Sequence, residues 1–255
     1  YIFIGLFLFI FQRKILFNTS DSPQKPEYYD LNNIEEIKIP TSDSLNLLAW
    51  YSKPKNDNPL LIYFHGNSFD IGERAYRIKR YIDKGWGVLL LAWRGYSGNS
   101  GKPTEKNLYS DAESTLDWLN TNTNIDKENI IIYGESLGAA VAVEIGTKYK
   151  FKSIVLEAPF SSITEIAHKR YKIFPVKYLI KDKFDNYAKI DKILSPILII
   201  SGKKDEVTPH SHSLKLYKKA NEPKDSVFID EAMHNNLYDF GIENDVIKFN
   251  LKAWK

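Results

Sequence analysis

Ser136 is the residue of this chain whose setting most strongly suggests chemistry. It stands in Gly134-Glu135-Ser136-Leu137-Gly138, after the apolar run Ile130-Ile131-Ile132-Tyr133 and before Ala139-Ala140-Val141-Ala142. A G-x-S-x-G segment between a strand and a helix puts the serine on a sharp, strained turn, with its hydroxyl above the sheet. Large side chains at Gly134 or Gly138 would collide across such a turn. The small residues that follow let the helix begin close to the strands, and a helix N-terminus favours negative charge developing on a substrate oxygen. The chemistry this predicts is nucleophilic attack by Ser136 on a carbonyl.

A serine nucleophile needs a base and a group to orient that base. Asp205 follows the apolar run Ile197-Leu198-Ile199-Ile200 by a few residues, and His234 follows Val227-Phe228-Ile229 in the same way. In open α/β sheets, sites are built in the loops beyond the carboxyl ends of the strands. The predicted triad is therefore Ser136, Asp205 and His234. The other histidines fit less well. His210 and His212 open a helical pattern after Pro209, where capping or surface roles fit. His168 lies in a basic stretch, and His65 ends an earlier strand. Glu157 is the alternative acid, and Glu206 reads as a solvated loop residue. Tyr63-Phe64-His65-Gly66-Asn67 suggests an oxyanion hole formed by the backbone N–H groups of Asn67 and Leu137.

These residues need a scaffold that brings strand ends together. Apolar runs at residues 60–64, 88–92, 129–133, 153–156, 197–201 and 227–229 alternate with amphipathic stretches at 71–84, 105–122, 136–150, 209–219 and 235–252. Runs apolar on both faces, alternating with helices, predict a mostly parallel sheet covered on both sides. Residues 34–39 and 45–51, separated by Thr41-Ser42-Asp43-Ser44, predict an antiparallel N-terminal hairpin. Residues 161–189 are too long for one crossover helix and rich in aromatic and basic side chains, so they read as a small helical insertion. The expected division is an apolar anchor segment at 1–17, a linker at 18–33 and one α/β domain at 34–255.

Composition narrows the classes. Hydrophobic residues form 43% and charged residues 26% of the 255 residues, which suits one globular domain. The net charge of +3 is spread along the chain without a dense basic block, so nucleic acid is not an expected partner. With no cysteine, disulfides, thiol nucleophiles and thiolate metal sites are excluded. The proposed chemistry calls for no metal or organic cofactor. Residues 1–11, YIFIGLFLFIF, carry no charge and precede Gln12-Arg13-Lys14. Eleven helical residues span only about 16 Å, yet the segment reads as the end of a membrane anchor. The basic residues after it would put the domain on the cytoplasmic side.

Leu91-Ala-Trp-Arg-Gly-Tyr-Ser-Gly-Asn-Ser-Gly-Lys-Pro-Thr-Glu105 is similar to the Y-R-G-Y-G-x-S-x-G-x-P-x-E stretch of the bud-emergence (Bem-type) α/β hydrolases. Their relatives include the α/β-hydrolase-domain proteins 13 and 17, and their domain is of serine-aminopeptidase type. His65-Gly-Asn67, Ala158-Pro-Phe-Ser161, Lys183-Phe-Asp185, Gly202-Lys-Lys-Asp205 and Met233-His-Asn235 fit the same pattern, as does the apolar N-terminus. Trp93 departs where Tyr is common, and Ser97 where Gly is common. The resemblance implies an α/β-hydrolase fold and a membrane-anchored hydrolase. It leaves the substrate open, since the group mixes depalmitoylating thioesterases with peptidase-like proteins. The expected activity is cleavage of an ester or thioester in a small or acylated substrate. The alternatives are a peptidase of the same fold and a non-catalytic scaffold.

Overall fold

The computed structural model describes residues 1–252 and 254. Eight strands form one sheet in the order β1-β2-β4-β3-β5-β6-β7-β8. They are β1 (Glu35–Pro40), β2 (Asn46–Ser52), β3 (Leu60–Phe64), β4 (Gly87–Leu91), β5 (Ile130–Glu135), β6 (Ser153–Glu157), β7 (Ile197–Gly202) and β8 (Lys224–Ile229). β1 and β2 pair as an antiparallel hairpin, β2 runs antiparallel to β4, and all other neighbours are parallel. Every residue of β3 to β7 is buried, as strands covered on both faces must be. The edge strand β8 is half-buried throughout.

Helices cover both faces. On one side α3 (Glu105–Asn122), α4 (Leu137–Gly146) and α7 (His210–Lys219) contribute Leu108, Leu116, Val141 and Leu216 to a core with Ile62, Ile132 and Ile199. On the other, α2 (Ala75–Ile82) and α8 (Ile242–Asn250) contribute Ile78, Tyr81, Val246 and Phe249 against Leu61, Tyr133 and Val155. Two amphipathic stretches break where the sequence reads them as continuous. Residues 71–84 form a 3-10 turn, Ile71–Arg74, before α2. Residues 235–252 form a second such turn, Leu237–Phe240, before α8, with Gly241 at φ 74° between them. Between β6 and β7 lie the short helices α5 (Ile163–Arg170) and α6 (Val176–Leu179).

The N-terminal segment corrects an expectation. The helix α1 (Ile2–Leu16) has 15 residues, and no helix among the described residues is long and apolar enough to cross a membrane. The expected single-pass anchor, and the membrane-associated, cytoplasm-facing location drawn from it, are therefore overturned. The physical reason is that the helix does not end at its apolar run. It continues through Gln12, Arg13 and Lys14, and the side chains of Gln12 and Arg13 are engaged by residues 179–182. Arg13 Nε lies 2.7 Å from Asp182 Oδ2, Gln12 Nε2 donates to the Leu179 carbonyl at 3.2 Å, and the Lys181 amide donates to Gln12 Oε1 at 2.8 Å. At the other end Tyr1 stacks on Phe174 with ring centroids 5.0 Å apart.

Candidate active site

The parallel strands end along one edge of the sheet, and Ser136 sits at the end of the central strand β5. Its backbone is at φ 52°, ψ −107°, a conformation that a residue with a β-carbon adopts only under strain. Two contacts hold it there: the Ser136 amide donates to the Glu157 carbonyl at the end of β6 (2.8 Å), and α4 starts at the next residue. Gly138 explains how α4 fits so close. A β-carbon there would lie 1.9 Å from the Phe64 carbonyl oxygen on β3. The Ser136 side chain is half-buried.

Asp205 and His234 come together beyond β7 and β8. His234 Nδ1 lies 2.7 Å from Asp205 Oδ2, with the carboxylate fully covered and the imidazole side chain 13% exposed. Asp205 Oδ1 accepts from the Val207 and Thr208 amides, both at 2.8 Å, and Oδ2 also accepts from Thr208 Oγ1 at 2.9 Å. Burial alone would push the Asp205 carboxyl up, but the hydrogen bonds from His234 and Thr208 outweigh it and hold the group below the ordinary aspartate value. A carboxylate accepting from Nδ1 leaves Nε2 as the basic nitrogen, the tautomer that a general base needs. The close approach of the two loops depends on Gly202, where a β-carbon would lie 2.1 Å from the Ala232 carbonyl oxygen. No hydrogen bond joins Ser136 Oγ to His234 among the described contacts.

The loop expected to supply an oxyanion donor follows β3. His65 is fully buried, and burial first, then the Arg74 charge, lowers its pKa to about 3. As a neutral ring it donates from Nδ1 to the Gly66 carbonyl (2.7 Å) and accepts from the Trp93 amide at Nε2 (3.4 Å). Its role is to hold the loop, not to exchange protons. Asn67 is half-buried, and its Oδ1 accepts from Tyr96 Oη at 2.6 Å and from the Asn18 amide at 3.2 Å. Leu137 is the first residue of α4 and is buried.

The other candidates lie elsewhere. Glu157, the alternative acid, points into the sheet floor, where Tyr133 Oη donates to it at 2.7 Å and Arg77 Nη1 lies 3.2 Å away. His212 is buried against Ser161 Oγ at 2.7 Å, His210 lies 2.9 Å from Ser201 Oγ, and His168 and Glu206 are exposed. Among the described residues no three His, Asp or Glu side chains converge to hold a metal ion.

One feature of the site has no counterpart in the sequence reading. Arg74, Arg77, Glu135 and Glu157 form a buried ionic cluster beneath Ser136, each 6% exposed or less. Glu135 is the second residue of the G-x-S-x-G motif itself. Arg74 and Arg77 lie three residues apart at the start of a helical stretch, a spacing that puts them on one face. That alignment was the available signal, but charged residues in an amphipathic stretch are ordinarily solvated.

An open, mostly parallel sheet with a strained serine at the end of its central strand defines the α/β-hydrolase superfamily. Comparison with known proteins agrees and goes further. The prolyl oligopeptidase family model (Peptidase_S9) matches residues 95–236, and the chain belongs to that family. An uncharacterized protein of Mycobacterium tuberculosis (Rv2307c) is 31% identical over 250 residues, covering 96% of this chain and 89% of its own. Human α/β hydrolase domain-containing protein 17B is 36% identical over 185 residues, covering 71% of this chain and 62% of its own length. This accords with the resemblance to the domain-17 group. Among solved structures, the Pyrococcus furiosus esterase Pf2001 superposes with a TM-score of 0.74 at 19% identity, covering 92% of this chain and 97% of that one. The Butyrivibrio proteoclasticus protein Est1E, solved with ferulic acid, gives 0.70 at 18%, covering 85% and 100%. The chain is thus a hydrolase of serine-hydrolase type.

Proposed function

We propose that this protein cleaves an ester or thioester through an acyl-enzyme on Ser136. The observation that carries the reading is the Asp205–His234 pair at 2.7 Å, at the same sheet edge as the strained Ser136. His234 Nε2 takes the proton from Ser136 Oγ as that oxygen attacks the substrate carbonyl. The tetrahedral oxyanion is met by the Asn67 and Leu137 amides. Collapse breaks the bond to the leaving alcohol or thiol, which receives the proton from His234. Water, deprotonated by His234, then attacks the acyl-enzyme, and the proton returns to Ser136 as the acid departs.

An apolar acyl group suits the surroundings. A cavity of about 210 Å³ lies between α1 and the insertion, lined by Leu16, Ile163, Ile166, Ala167, Phe174 and Leu179 among others. Leu16 stands two residues before Asn18, whose amide bonds Asn67. This short stretch of chain links the cavity to the Asn67 loop, although neither Ser136 nor His234 lines the cavity. A second reading, peptide cleavage, is favoured by one observation, the match to the prolyl oligopeptidase family model. Matched p-nitrophenyl ester, thioester and peptide substrates separate the two. The proposal expects ester or thioester turnover that disappears in a folded Ser136→Ala protein. Peptide turnover alone, or activity retained by Ser136→Ala, would contradict it.

A further inference from the structure

We propose that Arg74 is a positioning residue that sets the oxyanion loop against the nucleophile; the inference rests on the assignment of Ser136 and the Asn67 amide above. The geometry is specific to this side chain. Arg74 grips the Glu135 carboxylate with two nitrogens, Nη2 to Oε1 at 2.8 Å and Nε to Oε2 at 3.1 Å. Its remaining nitrogen, Nη1, donates to the Ser68 carbonyl at 2.5 Å and reaches the Asp70 carbonyl at 3.5 Å. Glu135 is bonded in the chain to Ser136, and Ser68 to Asn67. One planar guanidinium therefore bridges the neighbour of the nucleophile and the neighbour of the oxyanion donor.

Glu135 reinforces the bridge from the other side. A β-carbon on Gly66 would lie only 2.8 Å from Glu135 Oε1, so the carboxylate rests directly against the loop backbone. The loop segment from Gly66 to Ser68 is thus held between a carboxylate and the guanidinium bound to it. Arg77 shows what the cluster looks like without this role. It shares the Glu135 carboxylate at 3.2 Å and binds Glu157 and Tyr63 Oη, but it donates to no carbonyl of the oxyanion loop. Lysine cannot replace Arg74, because a single ammonium group cannot span a bidentate carboxylate and a carbonyl in fixed directions. An oxyanion donor acts by being in place before charge develops, so a loop free to drift loses transition-state binding while ground-state binding remains.

The test compares wild type, Arg74→Lys, Glu135→Gln and Arg94→Lys by kcat and KM on p-nitrophenyl butyrate, inhibition by an alkyl boronic acid, and Tm. Arg94 is the control: it is a buried arginine whose guanidinium binds Asp111 and Asp43 and no atom of the oxyanion loop, although its neighbours Trp93 and Tyr96 reach that loop. For Arg74→Lys, kcat should fall about 10- to 100-fold, somewhat less than for outright removal of an oxyanion donor. KM should stay within about twofold, and boronate affinity should fall in step with kcat. Glu135→Gln should show a smaller loss of the same kind, and Arg94→Lys should lower Tm without the kcat loss. If kcat losses merely follow Tm across all three variants, or Arg74→Lys keeps wild-type kcat, the inference is overturned. Should Arg74→Lys not fold, unchanged kcat and boronate affinity in Glu135→Gln overturn it. Ser136→Ala, run alongside, separates the failures: activity in that variant sinks the nucleophile assignment, whereas an inactive Ser136→Ala beside an unaffected Arg74→Lys sinks only the role of Arg74.

Discussion

The floor of the candidate site and the outer layer formed by α1, α5 and α6, the roof of the cavity between them, are built from opposite materials. The floor, where β3, β5 and β6 end, holds four charged side chains and the hydroxyls of Tyr63, Tyr133 and Tyr238 with almost no access to water. Nearly every polar atom there has a partner, as in the chain from Arg77 to Tyr63 and from Tyr238 to Tyr133. The roof combines the largely apolar α1 with a mixed apolar and basic α5 and the short α6, and it is loosely covered: no residue of α1 or α5 is buried, and Phe3 and Tyr178 are 86% and 83% exposed. Removing one partner of a buried ion pair typically costs about 3–5 kcal/mol, so the floor has one arrangement. The roof has few such penalties. A molecule built this way keeps the groups beneath Ser136 fixed and leaves the layer of α1, α5 and α6 freer to adjust.

The largest expected effect is in the fixed part. Asp205→Asn should lower kcat by about 10³- to 10⁴-fold while the fold survives, because the imidazole loses its oriented tautomer. The same substitution tests the electrostatics. The Asp205 carboxyl is held below its ordinary value by His234 and Thr208 against the opposing effect of burial. Its stabilising contribution is therefore complete above the unfolded-state pKa of about 3.9 and lost as pH falls below it. A Tm profile from pH 6 to 3 should steepen at the acid end in wild type and be flatter in Asp205→Asn. A kcat within tenfold of wild type would mean that another acid serves.

A middle-sized effect is expected in the roof. Ala167→Trp fills the cavity between α1 and α5. The kcat/KM for a twelve-carbon p-nitrophenyl ester should drop about tenfold, while that for the acetate ester stays within about twofold. Equal losses on both esters would show that the roof is coupled to the chemistry and is not a separate wall. The smallest effect belongs to the tie between α1 and the insertion. Arg13 is 48% exposed but its partner Asp182 only 4%, and Asp182 keeps the Glu105 amide, so Arg13→Ala should cost about 1–2 kcal/mol, a Tm shift of about 2–8 °C by calorimetry. A larger loss would place α1 with the rigid floor.

The same contrast explains what could be read from the sequence. Apolar runs buried on both faces write themselves plainly into sequence, and β3 spans residues 60–64 just as its run suggests. Glu105–Asn122 is helical over the stretch its pattern predicts, with Thr104 accepting from the Asn107 amide as its cap. Asp205 and His234 are legible as candidates because each comes just past a strand, and the structure pairs them at 2.7 Å. Residues 1–17 suggest an anchor that the structure does not bear out, because a row of apolar side chains does not say what it packs on. Only the structure shows Gln12 and Arg13 bonded to residues 179–182. Arg74 and Glu135 are not legible as a pair in sequence, because a buried charge is recognised by its partner and these partners are 61 residues apart.

The proposed chemistry begins at Ser136, and covalent labelling probes that residue directly. The intact protein would be treated with a fluorophosphonate probe, digested, and the modified peptide located by mass spectrometry. The account predicts one adduct per chain, on Ser136, and none in Ser136→Ala. An adduct on another serine, such as Ser161 beside His212, or equal labelling of Ser136→Ala, would contradict it.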